Sequence, residues 1–250
     1  MRLIILFTTL LLVGCSTTGS PRKTEAARPV MVARHTNTPI IIDGKLDEAV
    51  WRTAHAYPYH LADDRDPEKK DAVQEAGEVR LAWDEANLYV AVRFVDSDVV
   101  TRGEKRNELH FLKGDTAEVF LKPLTNTIYW ELYDTPHSQT STFCFPSLER
   151  RQEPGSFQYK MDIQVAGAVD GTLNDSTDTD RQWTGEMAIP RKELERWGDA
   201  FPGYGWTIFA ARYNYSKNLK SEDQELTMTP RLKKTNFHDH SGYALLKLKP

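Results

Sequence analysis

The chain has 250 residues, with 32 Lys and Arg against 36 Asp and Glu, a formal net charge of −4. Hydrophobic residues make up 40% and charged residues 27%, and the mean hydropathy is −0.56, a balance that excludes general disorder and a multi-span membrane protein. No basic tract is long enough to track a phosphate backbone, which argues against nucleic acid as a partner.

In chain order, the first feature is a leader: Arg2, an apolar run from Leu3 to Val13, then Gly14 and Cys15. The run is too short to span a bilayer and reads as a signal for export. It resembles a bacterial lipoprotein signal, in which cleavage before Cys15 leaves that cysteine lipidated as the new N-terminus; an ordinary secretory signal is the alternative. Residues 1–14 are therefore read as signal peptide and 15–34, rich in Ser, Thr, Pro and basic residues, as a flexible tether. Residues 35–250 form the domain. The resemblance implies a membrane anchor through Cys15 and a place in the cell envelope, at the outer membrane if the cell is Gram-negative, since Ser16 and not Asp follows. With Cys15 acylated, Cys144 has no partner for an internal disulfide and reads as a small buried hydrophobe.

The domain opens with an apolar strand run at residues 39–44, followed by a short helix near 46–51 anchored by Trp51. Residues 59–76 are charged and read as a surface excursion. Val79, Leu81 and Trp83, then Leu88, Val90, Val92 and Phe94, alternate with other residues about the turn Asp84-Glu85-Ala86-Asn87, the pattern of a β-hairpin. Further period-two stretches lie at 117–121, 128–134, 140–145, 159–165, 183–189, 207–215 and 243–248. A second short helix, opened by Pro190 and stopped by Gly198, is expected between them. Nine or ten short strands with almost no helix predict an all-β, antiparallel β-sandwich of jelly-roll type.

Strand parity assigns faces. Ala117, Val119 and Leu121 face the core, leaving Glu118 and Phe120 opposite; Tyr129, Glu131 and Tyr133 oppose Ile128, Trp130 and Leu132; Arg212 and Asn214 share a side. If these strands are neighbours, Glu118, Glu131, Tyr133, Arg212 and Asn214 share one face. Carboxylates, guanidinium and amide beside aromatic rings suit a sugar, whose hydroxyls take hydrogen bonds and whose C–H faces take a flat apolar platform. A self-satisfied surface charge cluster is the other reading of the same residues.

Five segments in order, IIIDGKLDEAVW, VRLAWDEANLYVAVRFVDSDV, GDTAEVFLKP, WTGEMAIPRKEL and FHDHSGYALLKL, resemble the family 9 carbohydrate-binding module. The resemblance implies a non-catalytic β-sandwich that binds oligosaccharides or polysaccharide chain ends such as those of xylan and cellulose. It also implies attachment to xylanases in many members and structural calcium in some, and this single-domain chain is expected to work alongside separate glycoside hydrolases or a transporter. Carried over by position, the family's acidic contact falls on Glu118, its Arg and Asn on Glu131 and Tyr133, and its Gln and Asn on Arg212 and Asn214. The family's two stacking tryptophans correspond to Leu112 and Phe237, with His238 beside the second; Phe111 or Tyr133 is the candidate to replace the indole lost at Leu112.

The residues also admit other chemistry. A glycoside hydrolase needs two carboxyls about 5 to 9 Å apart, one with a raised pKa; Glu118 and Glu131 are candidates, but a nearby Arg212 is expected to lower both. His238-Asp239-His240 suggests a transition metal, and the oxygen-rich run from Asp170 to Asp180 suggests calcium or a solvated hairpin tip. A noncovalent haem or metal electron-transfer module on the same sandwich is the alternative function, with Met161 and Met187 as available ligands.

Overall fold

The computed structural model describes residues 27–65, 72–152, 161–197, 200–203, 205–220 and 224–250. The expected signal peptide, Cys15 and most of the expected tether lie outside the described residues. The described strands are β1 (Val30–His35), β2 (Tyr57–Pro58), β3 (Gly77–Trp83), β4 (Asn87–Val95), β5 (Thr116–Pro123), β6 (Tyr129–Asp134), β7 (Thr142–Phe145), β8 (Gln164–Asp170), β9 (Gln182–Pro190), β10 (Trp206–Asn214), β11 (Glu225–Thr229) and β12 (Ala244–Lys249). Two short helices, α1 (Ala49–Thr53) and α2 (Arg191–Leu194), complete the set.

The strands hydrogen-bond in the order β7-β6-β5-β10-β12-β1-β3-β4-β9-β8, with β11 added to β10 and β2 to β3. The sheet curls, because alternate residues on its two ends are apolar and must meet. Val119, Leu121, Trp130, Leu132 and Ile208 from one end form a single core with Val79, Leu81, Val90, Val92, Trp183 and Met187 from the other. The β-sandwich expectation therefore holds.

One feature departs from antiparallel order: β1 runs parallel to both β12 and β3. Its sequence, VMVARH, falls mostly in the stretch read as tether, and it forms a strand of the sheet over Val30–His35. Met31 and Ala33 are buried, and this alternation, rather than the local Pro and Arg content, decides the segment's state.

Conversely, the apolar run at 39–44 forms no strand. Ile40 and Ile42 pack instead with Val50, Trp51, Tyr89 and Ala91 on the outer face of the β3-β4-β9 end. Ala82, Ala91 and Ala188 leave room there for the Trp51 indole, whose Nε1 donates to Glu186 Oε1 at 2.9 Å. The Gly44 amide donates to the other oxygen of Glu186 at 3.0 Å. Gly44 has φ of +79°, and a Cβ there would lie 2.8 Å from the Gly167 carbonyl carbon, so this turn requires glycine.

The 79–94 hairpin forms as expected; Asp84 Oδ1 accepts from the Ala86 and Asn87 amides to close its turn. The strand expected at 159–165 runs over Gln164–Asp170, and residues 159 and 160 lie outside the described set. Strands β2 and β11 were not expected. In β11, Leu226 and Met228 alternate with the buried polar residues Glu225, Thr227 and Thr229, and two apolar positions are too short a pattern to mark a strand by alternation.

Candidate functional site

The β7-β6-β5-β10 end of the sheet has a second, outward face, which is aromatic. Pairing sets Glu118 opposite Tyr133 and Phe120 opposite Glu131 across β5 and β6. On the other side of β5, Glu118 faces Ala211 and Phe120 faces Phe209 of β10. Glu131 and Tyr129 face Phe143 and Phe145 of β7. Directly paired residues project to the same side, so these side chains form one floor. Loops close it into a pocket of about 350 Å³: Phe111 on one side, Arg151 and Gln152 on another, and Thr235 to His238 on a third.

The walls are fixed by ring contacts. Phe111 lies 5.4 Å from Tyr213 and 6.3 Å from Tyr133, centroid to centroid. Phe237 lies 5.7 Å from both Phe209 and Tyr213. His238 packs edge-on against Phe120 and Phe145, and its Nδ1 is 3.0 Å from the Tyr129 hydroxyl. Burial lowers the His238 pKa to about 4, so its ring is neutral at physiological pH. Its Nε2 stands 3.9 Å from Glu131 Oε2, too far for a direct hydrogen bond.

Glu118 and Glu131 are 2% and 6% exposed. Burial raises both carboxyls, Glu131 to about 7 and Glu118 well above its ordinary value, and Glu131's charge adds to the rise at Glu118. A hydrogen bond to Tyr133 opposes the rise in each case, and Arg151 also opposes it at Glu131. The Tyr133 hydroxyl donates to Glu131 Oε1.

Of the residues expected at the site, Glu118, Glu131, Tyr133, Phe237 and His238 line this pocket, and Arg212 and Asn214 do not. In β10, Ala211 pairs with Glu118, so Phe209, Ala211 and Tyr213 share the pocket's face while Arg212 turns to the other side with Ala117. Arg212 is fully buried there. It donates to the Glu75 and Val95 carbonyls at 2.9 and 3.0 Å and to Asp96 Oδ2 at 2.9 Å, with its guanidinium 4.6 Å from the Phe94 ring centroid. Asn214 donates to Glu75 Oε2 at 2.7 Å. Both fasten β10 to the other end of the sheet. The expectation that Arg212 lowers the two glutamate pKa values falls with its position.

Leu112 is 64% exposed and stands outside the pocket, while its neighbour Phe111 enters it. Sequence reasoning did not place Tyr213, Phe143, Phe145 or Asn236 at the site. The signal for Tyr213 was its alternation with Phe209, which the charged Arg212 obscured.

Among the described residues no group of three or more His, Cys, Asp or Glu comes together as a metal cage. The acidic residues near the expected calcium run have other partners: Asp180 accepts from the Val99 and Thr172 amides, and Asp175 accepts from Thr177. Asp239 accepts from Ser241 within a 3₁₀ turn, so residues 238–240 are not a strand. Met161 and Met187 are packed in the sandwich core rather than facing a cavity.

Residues 42–140 match the model of the carbohydrate family 9 binding domain-like family. The family 9 match covers less than half of the chain; it includes β5 and β6, which carry Glu118, Glu131 and Tyr133, and stops before β10 and the 235–238 loop. No curated protein matches the chain.

Among solved structures, a Bacteroides uniformis protein proposed to bind carbohydrate superposes with a TM-score of 0.66 at 11% identity, over 89% of this chain and 100% of its own. A family 9 module from Caldicellulosiruptor kristjanssonii in complex with cellotriose gives a TM-score of 0.54 at 13% identity, over 88% and 93%. The same kind of module in complex with glucose gives 0.54 at 13%, over 87% and 95%. At these identities the likeness establishes the fold.

Proposed function

We propose that this protein binds carbohydrate without cleaving it, through the acidic and aromatic pocket on the outer face of β5, β6, β7 and β10. One observation carries the reading: two buried carboxyls, Glu118 and Glu131, lie on the floor of a pocket walled by Phe111, Phe237, Tyr213 and His238. Rings offer platforms to the C–H faces of a sugar, and the carboxyls accept from its hydroxyls. The family 9 match supports it, as do the cellotriose and glucose complexes of modules that share the fold.

Binding is favoured over hydrolysis because both carboxyls lie on one floor and burial raises both. Hydrolysis needs carboxyls flanking the scissile bond in opposite protonation states. The occupants we propose are short oligosaccharides or chain ends of the cellulose or xylan type, captured beside separate glycoside hydrolases.

Titration calorimetry with cellotriose and xylotriose tests the reading. We expect saturable binding that weakens about tenfold in Phe111→Ala, in line with the loss of one aromatic contact. Absence of binding to either sugar, or equal affinity in Phe111→Ala, overturns it.

We further propose that the leader directs export and that Cys15 is the lipid attachment point, which places the domain in the cell envelope on a tether. Cys15→Ser should move the full chain from the membrane to the soluble fraction; unchanged membrane association would refute the anchor.

A further inference from the structure

We propose that one sugar hydroxyl binds between His238 Nε2 and Glu131 Oε2, accepting from the first and donating to the second, and that Tyr129 is the positioning residue that orients His238 for this contact. The inference rests on the carbohydrate-binding reading above and names the contact within it that selects a hydroxyl.

Tyr129 and Glu131 are two residues apart on β6 and project to the same side. The Tyr133 hydroxyl donates to Glu131 Oε1, and the other oxygen, Oε2, faces His238 Nε2 at 3.9 Å. An oxygen about 2.8 Å from both atoms would subtend about 90°, close to the spread between a hydroxyl's proton and its lone pair, so the gap fits one hydroxyl. The His238 and Glu131 side chains keep 26% and 9% of their surface exposed, and both line the pocket. A bound sugar can therefore reach the gap.

Tyr129 sets the direction of the bonds. It is fully buried, with its ring stacked on Phe145 at 4.8 Å and edge-on to His240 at 4.4 Å, so its hydroxyl is held in place. Among the described residues, His238 Nδ1, 3.0 Å away, is the one acceptor within hydrogen-bond distance of that hydroxyl. A proton on Nδ1 would leave the buried O–H without an acceptor, a cost the neutral ring avoids by carrying its proton on Nε2. The same bond fixes the ring against a flip, since half a turn would set carbon atoms against both the Tyr129 hydroxyl and Glu131. Phe120 and Phe145, edge-on at 5.5 and 5.8 Å, hold the ring from the sides. Tyr129 thus acts on the sugar through His238.

The gap then presents one donor, Nε2–H, and one acceptor, Oε2. A hydroxyl satisfies both, an ether oxygen accepts without donating, and a methylene does neither. A buried polar group left unpaired by a deoxy or alkylated sugar is what gives such a seat its selectivity.

Calorimetry with cellotriose and xylotriose at pH 8, above the value of about 7 to which burial raises Glu131, tests the contact. His238→Ala should weaken binding about tenfold and Tyr129→Phe about threefold, the scale of one hydrogen bond and of a part of one. Tyr129→Phe added to His238→Ala should cost nothing further, whereas a merely structural role for Tyr129 gives additive losses. Nuclear magnetic resonance of isotope-labelled histidine nitrogens supplies a second readout, with the His238 signals identified by their contacts with the Phe120 ring. The sugar-free wild type should carry its proton on Nε2, and saturation with sugar should move the Nε2 resonance more than that of Nδ1. Each variant is checked for a wild-type melting profile, and if one fails to fold the wild-type resonances decide. A proton on Nδ1, an Nε2 resonance unmoved by bound sugar, full affinity in either single variant or additive losses in the double variant overturns the inference; the carbohydrate reading then stands as long as either sugar binds. Binding of neither sugar overturns both.

Discussion

Arg212 is fully buried and holds three acceptors, the carbonyls of Glu75 and Val95 and the carboxylate of Asp96. Asp96 is also fully buried, and its desolvation outweighs the pull of Arg212, which leaves its pKa raised to about 6. Removing the guanidinium leaves a buried carboxylate without its cation, so Arg212→Ala should destabilise the fold by about 3 to 5 kcal/mol. Urea denaturation checks this, and sugar affinity of the folded variant should match the wild type because the side chain lies on the face away from the pocket. Cys144, by contrast, is half-buried beside the main core, and burial pushes its thiol up to about 12, in keeping with a packing role.

At the scale of elements, β5 and β6 each serve two layers. Val119, Leu121, Trp130 and Leu132 fill the sandwich while Glu118, Phe120, Glu131 and Tyr133 build the pocket. Each strand's alternation therefore encodes core and site together, and a one-residue slip would exchange them. Trp130 is fully buried, 5.4 Å from the Trp206 ring, whereas Trp83 is half-buried at the sheet's margin with its Nε1 donating to Lys249 O at 3.0 Å. Trp130→Ala should lower stability by about 3 to 5 kcal/mol, and Trp83→Ala by roughly half that or less, as read from thermal melts. Alternation made β3, β4, β5, β6, β9 and β10 legible. It failed for 39–44, where an apolar run packs as irregular chain against α1, and for β11, where only Leu226 and Met228 mark the apolar face.

For the molecule as a whole, buried acids set the response to pH. Glu131 and Glu186 are raised to about 7 and Asp96 to about 6, and Glu118, Asp115 and Asp134 are raised as well, in each case chiefly by burial. A folded-state pKa above the unfolded value means that the folded chain binds more protons between the two. The stability these groups confer is complete below their unfolded pKa and is lost as pH rises through the folded one. The protein should therefore be more stable near pH 5 than near pH 8, by a few kcal/mol, since a tenfold change in a group's proton affinity on folding is worth about 1.4 kcal/mol. Glu131→Gln should flatten that dependence in urea titrations at the two pH values. Exposed carboxylates such as Asp43 and Asp170 are shifted the other way by their Lys45 and Arg181 partners, and solvent screens them.

Read along the chain alone, the residues were enough for the all-β class, the hairpin at 79–94, the Asp43-Gly44 turn and the outward placement of Glu118, Glu131 and Tyr133, because these follow from local periodicity and from the φ that only glycine readily adopts. Which face of β10 joins them was settled by contacts between strands. A strand's own pattern gives two faces but no register, and pairing with β5 turned Tyr213 into the pocket and Arg212 away. Packing likewise brings Phe111 into the site and leaves Leu112 in solvent, since the orientation of a short 3₁₀ turn is set by what it packs against.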